Sequence, residues 1–104
     1  MTDQLAGLRG RFSEEASERA TRLANYLGIL PTADSQQIAV LSSMRKEAHT
    51  LKGAAGVFGE PELHAAAARL EELTAGLADG KELDTSAKAE LAAGVAAVKA
   101  ALPA

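Results

Sequence analysis

The chain has 104 residues, no cysteine and a formal net charge of −3. That length supports one domain (residues 1–104) with one core, and leaves no room beside it for a kinase or nucleotide-binding domain. Interspersed acids and bases argue against nucleic acid as the main partner, the missing cysteine excludes disulfide and thiolate chemistry, and no signal-peptide segment or apolar run near 18 residues calls for a membrane. The expectation is a cytoplasmic protein, monomeric, with no membrane partner.

The elements read as helices throughout. Leu5, Leu8, Phe12, Ala16, Ala20, Leu23, Leu27 and Leu30 form a stripe at helical spacing. Gly7 and Gly10 interrupt its beginning, which predicts a short first helix and then a longer one from Phe12 to Gly28, stopped by Pro31. Asp34 with Gln37 three residues on has the form of a capping box and opens the next helix, which closes at Gly59. Pro61 suits the first turn of a third helix, where its missing N–H is not needed. Leu63, Ala66, Ala67, Leu70, Leu73 and Leu77 supply that helix's apolar stripe, and Gly80 ends it. Asp84 or Thr85 caps the last helix, with Ala87, Leu91, Val95, Val98 and Leu102 inward. Period-2 alternation is absent, so no strand is predicted. Long amphipathic helices with short connections give an all-α fold, an up-down four-helix bundle with a short additional N-terminal helix.

The second long helix carries the informative stretch, His49-Thr50-Leu51-Lys52-Gly53-Ala54-Ala55-Gly56. His49, Lys52, Gly53 and Gly56 share one helical face. Leu41, Met44, Ala48, Leu51, Ala55 and Phe58 run down the adjacent face that a core would take. Glycine inside a helix costs about 1 kcal/mol relative to alanine. Two of them in an alanine-rich chain point to close approach of another surface to the backbone around His49.

The turn near Glu60 places a partner for the histidine. His49 lies 11 residues before Glu60 and Glu71 lies 11 after it. In antiparallel helices both then stand about 16 Å from the turn, at about 1.5 Å per residue. A carboxylate accepting Nδ1–H would fix the tautomer and leave the Nε2 lone pair free as a nucleophile. Lys52, one turn from His49, could neutralise an anion attached at Nε2.

The run from His49 to Gly59, together with Ala68-Arg69-Leu70-Glu71-Glu72-Leu73 downstream, resembles the phosphorylation-site region of histidine phosphotransfer (HPt) domains. Its form is similar to the N-terminal phosphotransfer domain of chemotaxis-type histidine kinases. The close match covers about residues 45–77. Many stand-alone members carry glutamine where this chain has Glu71, and the chemotaxis-kinase form tends to carry a second histidine where this chain has Ala68. The resemblance implies a phosphorelay carrier that holds a phosphoryl group on His49 and exchanges it between a histidine kinase and an aspartate on a response-regulator receiver domain. In that family the lysine after the histidine steadies the phosphoryl group, and the next glycine lets the receiver come close, roles that fall on Lys52 and Gly53. The receiver brings the aspartate and Mg²⁺, so no cofactor and no metal of its own are expected here. The Met1 start leans towards an independent protein rather than a kinase fragment.

Two other functions compete. An HPt-like bundle could dock a regulator without being phosphorylated, or a His49–Glu71 dyad could act as a general base in an enzyme. The enzyme reading is weaker, because no nucleophilic Ser or Cys constellation and no metal-ligand cluster is legible. With Gly53 and Gly56, the basic residues Arg45 and Lys46 (and Arg69) are candidates for meeting an acidic receiver surface. His64 is expected to be structural or simply solvated.

Overall fold

Four helices follow one another in the computed structural model, which describes residues 2–30, 36–79 and 82–103. They are α1 (Thr2–Ile29), α2 (Gln37–Val57), α3 (Pro61–Leu77) and α4 (Thr85–Ala100). No strand occurs among the described residues. α1 packs against α2 and α4, and α3 packs against the same two, so the helices close a ring in chain order. Phe12 meets Phe58 while Arg19 and Arg22 meet Glu47, so residue numbers rise along α1 as they fall along α2. That is the antiparallel, up-down arrangement short connections favour.

The core runs along the bundle axis. α1 contributes Phe12, Ala16, Ala20 and Leu23, α2 contributes Leu41, Met44, Ala48, Leu51 and Ala55, and α3 contributes Leu63, Ala67 and Leu70. Leu91, Val95 and Val98 of α4 complete it. Ala87 and Leu102, expected inward, are partly buried against its edge, as are Ala66, Leu73 and Leu77 of α3. The rings of Phe12 and Phe58 stack with centroids 4.6 Å apart, pinning α1 to the last turn of α2. Such a pair contributes about 0.5–1.5 kcal/mol beyond its buried area. Beside it the Arg9 guanidinium donates to the Phe58 carbonyl at 3.1 Å, placing a cation at the C-terminal end of α2.

The short separate N-terminal helix is not formed: α1 is continuous from Thr2 to Ile29. A glycine weakens a helix without removing an amide, and Leu8, Arg9 and Arg11 between and after the two glycines are good helix formers. Arg9 and Phe12 also anchor this stretch to α2. Leu5 and Leu8, at the head of the helix-spaced stripe, are 63% and 47% exposed. Because Arg9 is already level with the end of α2, the residues before it extend past that end. The long dimension of the molecule, 50 Å against 19 and 18 Å across, reflects this overhang.

The turn between α2 and α3 is well defined. Gly59 has φ of +69°, in the left-handed region that an L side chain adopts only with strain. Its N–H bonds the Gly56 carbonyl, and the Glu60 N–H bonds the Ala55 carbonyl at 2.9 Å, the paired bonds of a Schellman ending. Pro61 follows as the first residue of α3. Asp84 caps α4 by accepting from the Ala87 N–H at 2.7 Å. The Asp34–Gln37 capping box falls partly outside the described residues, as do Pro31 and Gly80. Gln36 holds the N-cap position of α2 with no side-chain cap bond.

Gly94 shows what a packing glycine looks like here. A Cβ added to it would lie 3.0 Å from Cδ1 of fully buried Leu70, whereas one added to Gly10 would meet nothing within 4 Å. Gly94→Leu is therefore expected to lower stability by about 1–3 kcal/mol through overpacking, and Gly10→Ala to raise it by about 0.5–1 kcal/mol through helix propensity. Thermal melts of the two variants check this. Equal shifts would mean that α3 and α4 do not approach as closely as described.

Candidate functional site

α2 and α3 bring His49, Lys52 and Glu71 together on one flank of the bundle. Ala48 and Leu70, the residues just before His49 and Glu71, are both fully buried. Each functional side chain is thereby aimed to the side of the core, towards the seam between the two helices. Glu71 is the centre of the arrangement. Its Oε2 accepts from Nδ1 of His49, and its Oε1 accepts from Nζ of Lys52 at 2.6 Å. The carboxylate is sheltered, with 16% of its side chain exposed, while the His49 ring is 66% exposed. Thr74, fully buried one turn on, donates its hydroxyl to the carbonyls of Leu70 and Glu71 at 2.9 and 3.0 Å, satisfying itself within the turn that carries Glu71.

The chemistry follows from the donors and acceptors. A carboxylate only accepts, so Nδ1 carries a proton and the neutral ring keeps its lone pair on Nε2. That nitrogen belongs to the exposed ring. Lys52, one turn from His49, is bonded through its ammonium group to Glu71. Its hydrogen bond, joined by that of His49, holds the Glu71 carboxyl below the ordinary glutamate value, against a smaller opposing effect of burial.

Gly53 is exposed, and a Cβ there would meet nothing within 4 Å. Nothing in the chain's own packing requires glycine at this position. Gly56 is different, because the His64 ring lies over it, with Nδ1 3.6 Å from where its Cβ would be. Arg45 is half-buried one turn before His49, and Lys46 is exposed beside it. Arg69 does not join this face. It lines a groove of about 840 Å³ between α3 and α4, walled by Ala65, Ala66, Ala93 and Gly94, to which none of His49, Lys52 and Glu71 contributes.

Sequence reasoning missed the support behind α2. Glu47 accepts from Arg19 and from Arg22, each at 2.9 Å, fastening α1 to α2 two residues before His49. Burial raises the Glu47 carboxyl, but the hydrogen bonds from Arg22 and Arg19 outweigh it and leave the value low; the Glu47 bond likewise raises Arg22. The signal was available. Arg19 and Arg22 stand in the second half of α1 and Glu47 in the middle of α2, opposite charges on consecutive helices that could have been paired.

An exposed imidazole thus stands beside a sheltered carboxylate and an ammonium group on one flank of a four-helix bundle. The chain belongs to the Hpt domain family, whose family model matches residues 7–101. It is thus a histidine phosphotransfer module of the two-component phosphorelay type. No curated protein and no solved structure matches the chain. Among the described residues no group of three His, Cys, Asp or Glu side chains could hold a metal ion, and no helix is long and apolar enough to cross a membrane.

The lowered Glu71 carboxyl gives a pH test. A group whose value is lower folded than unfolded adds stability above the unfolded value, and that contribution is lost as the pH falls through the folded one. Glu71 should therefore protonate below the ordinary glutamate range in ¹³C NMR of its carboxyl. Lys52→Ala should move that titration up, and further than His49→Ala does, since the lysine bond is the larger cause. The reverse order would make His49 the principal partner.

Proposed function

We propose that His49 is the phosphoacceptor, taking a phosphoryl group on Nε2 and returning it to a receiver aspartate. In the loading step the Nε2 lone pair attacks phosphorus, an N–P bond forms, and the O–P bond of the donor breaks. The ring becomes cationic, its proton stays on Nδ1, and Glu71 opposite balances the charge. In the unloading step the aspartate oxygen attacks, the N–P bond breaks, and the electron pair returns to Nε2. The observation that carries this reading is the shared carboxylate, which commits Nδ1–H and leaves an exposed Nε2.

Lys52 changes partner in this cycle. A phosphoryl dianion on Nε2 competes with Glu71 for the ammonium, and two charges outbid one. Gly53 leaves the flank beside His49 open to the receiver, and Arg45 and Lys46 supply positive charge next to it. Mg²⁺ and the aspartate stay on the receiver, so the module works as a phosphocarrier in the cytoplasm, between a histidine kinase and one or more regulators. The His64 ring bonds a backbone carbonyl where the His49 ring bonds a carboxylate, which supports His49 as the acceptor.

His49→Gln should abolish acid-labile, alkali-stable labelling from a phosphorylated receiver while leaving the helical circular dichroism intact. Retained labelling refutes the acceptor assignment. A wild-type chain that binds receivers without ever being labelled would be a docking module instead. Gly53→Gln should stabilise α2 by up to about 0.5–1 kcal/mol yet slow transfer, because its side chain enters the space left for the receiver. Lower stability with normal transfer would show that the glycine serves internal packing.

A further inference from the structure

His64 stands in the first turn of α3, exposed, on the same flank as His49. Its ring lies against α2 where Gly56 has no side chain. Nδ1 is 2.9 Å from the carbonyl oxygen of Lys52. A carbonyl only accepts, so Nδ1 carries the proton, and the neutral ring presents its lone pair on Nε2. Among the described residues no hydrogen bond reaches that nitrogen. The ring is thus anchored to the backbone of the residue whose ammonium holds Glu71, with one acceptor left open. Gly56 follows His49 by seven residues, which places the ring about 10 Å along α2 from the acceptor histidine. An acceptor already held in place engages a partner with little further ordering cost.

We propose that His64 is a specificity-determining docking residue: its Nε2 accepts a hydrogen bond from a donor on the receiver surface. The proposal rests on the phosphotransfer reading, which supplies the receiver. The partner group is a backbone amide, an Asn or Gln amide, or a Lys or Arg side chain, about 10 Å from the receiver aspartate when His49 is opposite it. A receiver with a carbonyl or carboxylate at that place sets lone pair against lone pair and is disfavoured.

The probe is the receiver domain that binds the wild-type chain most tightly by calorimetry among those encoded in the same genome. His64→Ala should raise Kd and the KM for phosphotransfer about three- to tenfold, with kcat changed by less than about twofold, the range of one lost hydrogen bond. Gln reaches the Nε2 position and should restore both constants, whereas Asn replaces only Nδ1 and should preserve the melting temperature without restoring them. Unchanged Kd and KM in His64→Ala, a fall in kcat alone, or rescue by Asn as complete as by Gln each overturns the proposal and leaves His64 as a strut between α3 and α2. If His49 is never labelled, the phosphotransfer reading fails, and the Kd series alone still decides for or against His64.

Discussion

The register of α3 against α2 is the constraint on which the site depends, and three residues set it. Gly59 turns left-handed, the Glu60 N–H reaches back to Ala55, and Pro61 starts the next helix at once. With no slack in the connection, positions equidistant from Glu60 must face one another. Each helix buries a core residue immediately before its functional one, Ala48 before His49 and Leu70 before Glu71. A slip of one residue would turn one of them into the core or out to solvent. A side chain at Gly59 would therefore threaten the site from ten residues away.

Glu71 then links orientation to charge. Sheltered between the helices, it commits one oxygen to the imidazole and one to the ammonium. The ring's outer half stays in solvent, and the α3–α4 groove lies on another flank. The imidazole therefore stands at an open surface, tied to a carboxylate that an ammonium group also holds. The double-arginine grip on Glu47 steadies the opposite side of α2 and keeps the bundle tight while leaving the His49 flank uncovered.

Much of this was legible in the sequence for identifiable reasons. Helical periodicity and the punctuation by Gly59, Pro61 and Asp84 placed the last three helices, since each acts through a local backbone requirement. The level of Glu71 with His49 followed from counting residues about a turn, which works when the turn is tight. Glycine misled at Gly7 and Gly10, where its cost of about 1 kcal/mol is too small to end a helix that tertiary contacts hold at Arg9 and Phe12. The overhang that exposes Leu5 and Leu8 is a matter of relative helix length, to which a stripe on one helix is blind. Gly53 and Gly56 looked alike in sequence and differ in structure, because only Gly56 lies beneath a ring from another helix. The Lys52–Glu71 bond is hidden from spacing on α2 alone, because its acceptor stands on another helix.

The central claim is that Glu71 holds Nδ1–H so that phosphorus goes to Nε2. Long-range ¹H–¹⁵N correlation spectra of the imidazole, with phosphorus coupling, test it in the labelled protein. The account predicts phosphorus coupling to Nε2 of His49 and a proton on Nδ1 before and after loading. Coupling to Nδ1, or a resting ring protonated only at Nε2, would contradict it.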